Sequence, residues 1–136
     1  MENKKGIALI LAMFILVFIS ILAVAFLWLI TSDLMITSNH LGKLKALYIA
    51  EAGIEQAVYQ LRLNKNWIAN QWQSPFPVGS NSSYTLTYPE SGETRVIVSS
   101  AQVENNKFQA TVKAKVSIKG ASSPYTIRIV KYQETG

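Results

Sequence analysis

The chain has 136 residues, a net charge of +5 and an apolar fraction of 49%, which suits one small domain beside a membrane segment and is too little for two separate cores. With no cysteine and a single histidine, His40, it holds no thiol nucleophile, no disulfide and no His/Cys metal set. No glycine-rich phosphate loop and no paired-carboxylate spacing occurs, so composition points away from an enzyme and from a cofactor.

A short basic leader, residues 1–6, carries Lys4 and Lys5 directly before an uninterrupted apolar run, Ile7 to Ile30. The run has no charge and one hydroxyl, Ser20, and at roughly 1.5 Å per residue a helix of this length crosses a bilayer core. The positive-inside bias places the leader in the cytoplasm and the residues beyond the run on the extracytoplasmic side, as in a single-pass inner-membrane protein. A cleavable secretory signal is the competing reading, with Ala23-Val24-Ala25 as its small-x-small site, but Phe26 to Ile30 continue the run past that site. A plain signal anchor is the other.

From residue 31 to residue 63 no proline occurs, and Leu44, Leu47, Ala50, Ile54, Ala57, Val58 and Leu61 recur at spacings of three and four. This predicts an amphipathic continuation of the helix with one apolar face. Gly42, Ala46 and Ala50 form one small-residue ridge, and Ala50, Gly53 and Ala57 a second. Such ridges admit either a neighbouring helix or the protein's own sheet. Gly42 and Gly53 each cost the helix about 1 kcal/mol against alanine and mark candidate soft spots. Glu51 and Glu55, one turn apart, read as helix-surface charge, and His40 as a polar residue just beyond the membrane.

Residues 64–80, with two tryptophans, a phenylalanine and two prolines, read as an aromatic-rich connecting loop. Residues 81–136 show period two, predicting four antiparallel strands: around Tyr84 to Tyr88, Thr94 to Val103, Phe108 to Ile118 and Tyr125 to Tyr132. Pro89 to Gly92, Glu104 to Asn106 and Gly120 to Pro124 supply the turns. The expected fold is α+β, a long N-terminal helix packed through Leu44, Leu47, Ile54, Val58 and Leu61 on a four-stranded antiparallel sheet. Lys107, Lys113, Lys115 and Lys119 fall on one strand face, and Arg128 and Lys131 in the next strand fall on opposite faces by parity. A basic face of this kind is either simply solvated or a surface for DNA or another anionic partner, and no aromatic interleaves it to stack on bases.

Two stretches carry a family resemblance. Lys4-Lys5-Gly6 followed by Ile7-Ala8-Leu9-Ile10-Leu11 resembles the cleavage site of a type IV prepilin. Lys45-Ala46-Leu47-Tyr48-Ile49-Ala50-Glu51-Ala52-Gly53-Ile54-Glu55-Gln56-Ala57 resembles the A-x-x-A-E-A-G-I-E-x-A block of PilX-type minor pilins and related pseudopilins. The resemblance covers the first half of the chain. It implies cutting between Gly6 and Ile7 by a prepilin peptidase, methylation of the new N-terminus, and a helix that leaves the lipid for a bundle of like subunits. It further implies an inner-membrane assembly platform, a cytoplasmic ATPase and a filament at the cell surface or in the periplasm, whose machine is an adhesion or twitching pilus, a competence pilus or a secretion pseudopilus. Major pilins carry glutamate at the fifth residue after the cut, where this chain has Leu11. That departure implies a scarce subunit near the filament tip that primes assembly. The alternative from another class is a monomeric, membrane-anchored extracytoplasmic binding domain, with DNA as its candidate ligand.

Overall fold

The computed structural model describes residues 2–69, 71–88 and 92–135, with the side chains of 2–5 and of Trp72 left aside. Its first element is one helix, α1 (Glu2–Leu63). The chain forms two compact units, residues 1–39 and residues 40–136, each described by itself.

In the first unit every residue from Ile7 to Ile30 is exposed. This is a helix long and apolar enough to cross a membrane. Three hydroxyls bond back to the helix itself. Ser20 Oγ donates to the Leu16 carbonyl at 2.8 Å, Thr31 Oγ1 to that of Leu27 at 2.7 Å and Ser32 Oγ to that of Trp28 at 3.0 Å.

In the second unit the last turns of α1 pack on an antiparallel sheet of five strands, ordered β1 (Trp72–Pro75), β2 (Ser83–Thr87), β3 (Thr94–Val103), β4 (Phe108–Lys119) and β5 (Thr126–Thr135). The expectation of four strands is corrected by β1, which lies inside the stretch read as loop 64–80. Trp72 pairs with Leu86 and Pro75 with Ser83. Pro75 hid the strand, because proline cannot donate to a ladder; here it closes a four-residue edge strand, where that donor is not needed. β5 also runs three residues past Tyr132, to Thr135. Of the turn expected at Pro89 to Gly92, Pro89, Glu90 and Ser91 lie outside the described residues. Glu104, Asn105 and Asn106 form the expected β3–β4 turn with φ of 54°, 55° and 72°, a conformation asparagine tolerates better than most residues.

Burial alternates along the central strands, so Ile97, Ala101 and Val103 of β3 and Ala110, Val112, Ala114, Val116 and Ile118 of β4 face inward. Against them α1 sets Ile54 and Leu61, both essentially buried, and Val58, with Leu47 packed at the margin and Leu44 half-buried. Between these larger residues lie the small ones. Ala46, Ala50 and Ala57 are fully buried. A Cβ added at Gly42 would overlap the Phe108 ring, and one at Gly53 would overlap Ser99 Oγ and the Tyr84 ring. Both small-residue ridges therefore lie under the chain's own sheet, where they let the helix approach it closely.

Candidate interaction surfaces

Three arrangements in the second unit bear on function. The first is Arg95, whose place in β3 gives it the inward parity of Ile97 and Ala101 and leaves it 3% exposed. Among the described residues no carboxylate meets it. Instead Nε donates to the Gly92 carbonyl at 3.0 Å, and the terminal nitrogens to the carbonyls of Trp67 at 3.0 Å and Lys65 at 2.5 Å. Its guanidinium also lies 5.5 Å from the centre of the Tyr88 ring. Burial pushes the Tyr88 phenol up, and the Arg95 charge partly offsets this. Arg95 thus ties the chain leaving α1 to the segment entering β3. Lys65 and Lys119 share a cleft of about 590 Å³ with it, but each of its three nitrogens donates to a main-chain carbonyl, which makes it a clip.

The second arrangement is the outer sheet face. Lys113, Lys115 and Lys119 project outward from β4 and are exposed. Lys107 precedes the strand: it sits in the β3–β4 turn with its ammonium 5.1 Å from the Phe108 ring centre, so it does not share the strand face. Parity alone places Arg128 and Lys131 on opposite faces, and the structure corrects this. Lys115 pairs with Lys131 but Val116 pairs with Ile129, so Val130 is a bulge residue without an opposite number. The bulge turns both cations outward, Arg128 opposite Ser117 and Lys131 opposite Lys115. Five cations then share one face of β4 and β5. Neither strand presents an acidic residue there, since Glu134 pairs with Val112 in the inward register.

The third is a groove of about 470 Å³ between α1 and the inward side of β5, lined by Tyr48, Glu51, Ala52, Glu55, Ile129 and Tyr132 among others. The Tyr132 hydroxyl donates to Glu51 Oε1 at 2.9 Å. Its ionisation is pushed well above the usual phenol range, first by desolvation, then by the hydrogen bond to Glu51 and the negative charges of Glu51, Glu134 and Glu55. The groove is negative and half-apolar, with Ile129 and Tyr132 each about two-fifths exposed.

Of the remaining residues singled out in the sequence, Gly6, Ile7 and Leu11 lie exposed on the apolar helix, and nothing stands within 4 Å of a Cβ added at Gly6. Among the described residues no three His, Asp or Glu side chains gather to hold a metal. Sequence reasoning missed Arg95, the Val130 bulge and the Tyr132–Glu51 contact. Only the first had a visible signal, a lone charge at an inward position of an alternating strand. The geometry defines an α+β domain with one basic face and one acidic groove, joined in sequence to an apolar helix. No family model, no curated protein and no solved structure matches the chain.

Proposed function

We propose that this chain is a filament subunit, a minor pilin or pseudopilin of a type IV pilus or type II secretion-like machine. The observation that carries the reading is the Lys5-Gly6-Ile7 junction in front of a helix whose apolar residues are all exposed from Ile7 to Ile30. Burying a large apolar side chain stabilises by roughly 1.5–3 kcal/mol, so this segment needs lipid or a bundle of like helices around it and cannot rest in water. A chain anchored by this helix and cut by a peptidase in front of it exchanges one such surrounding for the other. The A-E-A-G-I-E block from Ala50 to Glu55 supports the same family.

Leu11 supports a position near the tip, in few copies. A glutamate at that position meets the N-terminal ammonium of a neighbour inside the bundle, whereas leucine leaves it unpaired, and an unpaired charge in an apolar medium costs several kcal/mol. In this reading the inner-membrane platform, the prepilin peptidase and other pilin subunits are the partners, and the domain faces away from the cytoplasm.

A membrane-anchored binding domain is the second reading, favoured by the five outward cations of β4 and β5. Mass spectrometry of the protein recovered from its membrane separates the two: an N-terminus at Ile7 is expected of a pilin, and retained Met1 of an anchor. Replacing Gly6 by leucine should block the cut, so that precursor accumulates. Normal maturation of Gly6→Leu would remove the support from the leader.

A further inference from the structure

We propose that the outer face of β4 and β5 docks on the Glu51/Glu55 groove of a second copy of this chain, giving a head-to-tail contact between the extracytoplasmic domains. The inference goes beyond the filament reading and requires only copies held side by side by their apolar helices.

The two surfaces lie on opposite sides of β5. In register, Ile129, Tyr132 and Glu134 face inward toward α1, whereas Arg128 and Lys131 face outward. Each surface is of one sign. Lys113, Lys115, Lys119, Arg128 and Lys131 have no acidic neighbour on the outward positions of β2 to β5. The groove holds Glu51 and Glu55, with Glu134 near enough to raise Tyr132, and among the described residues no cation lines it.

The basic face carries a local cost that a partner would relieve. Lys115 and Lys131 stand directly opposite across neighbouring strands, and like charges in such a pair are destabilising. The groove in turn has the walls a lysine or arginine requires: Ile129 and the Tyr48 and Tyr132 rings for the aliphatic stem, and carboxylates for the charged end. Because donor and acceptor surfaces differ, the contact is heterologous. It leaves one free surface of each kind at the two ends of any chain of copies, which is how open assemblies grow. Exposed ion pairs contribute about 0.2–1 kcal/mol each, so the contact is weak in solution and depends on copies held side by side by their helices.

The absence of native cysteine makes the test clean. Two tagged forms of the full chain, Glu55→Cys and Lys115→Cys, are expressed together in the membrane and treated with a short thiol cross-linker. The mixed pair should cross-link, and either form alone should not. Lys131→Glu with Arg128→Glu in the Lys115→Cys copy should lower the yield about tenfold, as the loss of two or three exposed ion pairs would, and Glu51→Lys in the Glu55→Cys copy should recover part of it. Equal cross-linking of the Glu55→Cys form with itself would overturn the contact, as would a yield that charge reversal leaves unchanged. So would absence of the mixed product while duplex DNA binds the wild-type chain and not Lys131→Glu, which would assign the basic face to nucleic acid. The N-terminal mass of the same samples keeps the two readings apart. Mature Ile7 without the mixed product sinks the contact alone, and the mixed product with Met1 retained sinks the filament while the contact stands.

Discussion

Residues 7–30 and residues 40–63 of α1 share a backbone conformation and little else. In the first stretch the apolar residues point in every direction and all are exposed, which only an apolar surrounding can satisfy. In the second they narrow to a stripe, with Ile54, Val58 and Leu61 as large residues and Ala46, Ala50, Gly53 and Ala57 between them, and the sheet covers that stripe. The difference teaches that the number of apolar residues identifies a segment able to cross a membrane, whereas their period, and the small residues interleaved with them, identify a segment that meets a sheet.

The sharpest way to break this comparison is to cut side chains in both stretches. Leu61→Ala or Ile54→Ala, each removing an almost completely buried side chain, should cost about 2–5 kcal/mol. Val17→Ala, on the all-apolar stretch, should leave the stability of residues 40–136 within about 0.5 kcal/mol. Thermal unfolding of the full chain in detergent, followed through the tryptophans, measures both; equal effects would erase the distinction. Next in size is Arg95→Met, which leaves the carbonyls of Lys65, Trp67 and Gly92 without their donor and should cost on the order of 3 kcal/mol. A neutral result in urea unfolding would show that the clip is dispensable.

Gly53→Ala sharpens the comparison from the other side. In a free helix the change would stabilise by about 1 kcal/mol, but here the new methyl meets Ser99 Oγ and Tyr84, so a net loss of about 1–3 kcal/mol is expected. Ser99 Oγ is buried without a hydrogen-bond partner among the described residues. Ser99→Gly should therefore relieve part of the Gly53→Ala loss, and a double-mutant cycle that returns no coupling would contradict the packing. The smallest expected effect belongs to Tyr132→Phe. The native phenol ionises well above its ordinary value of 10.0. Its contribution is therefore complete below about pH 10 and is lost as pH rises through the higher folded value. The phenylalanine variant should be slightly less stable than the wild type at neutral pH and should lose less stability in alkali, so that the two converge as pH rises past about 10.

The helix ending at Leu63, the inward alternation of β3 and β4 and the asparagine turn between them were legible because each is written in local periodicity or turn chemistry. What escaped was written non-locally. β1 has four residues and a proline, and is a strand only because β2 lies beside it. Arg95 was overlooked because its acceptors are main-chain carbonyls some thirty residues away and carry no side-chain signature. Of the candidate surfaces, the lysines of β4 were visible by parity, but their union with Arg128 and Lys131 depended on an unpaired residue that no two-residue period can announce.

That unpaired residue, Val130, acts as a phase shift. Everything before it in β5 is read in one frame and everything after it in the other, so the strand is two half-messages joined out of step. Deleting that one residue would close the bulge and leave Ile129 and Arg128 opposite Val116 and Ser117, as they stand now. An unbroken ladder that paired Val130 with Val116 would instead turn Arg128 toward the helix and Ile127 and Ile129 toward water, reversing half the strand with no change in sequence. Arg128 thus joins the outward lysines through a single spare residue.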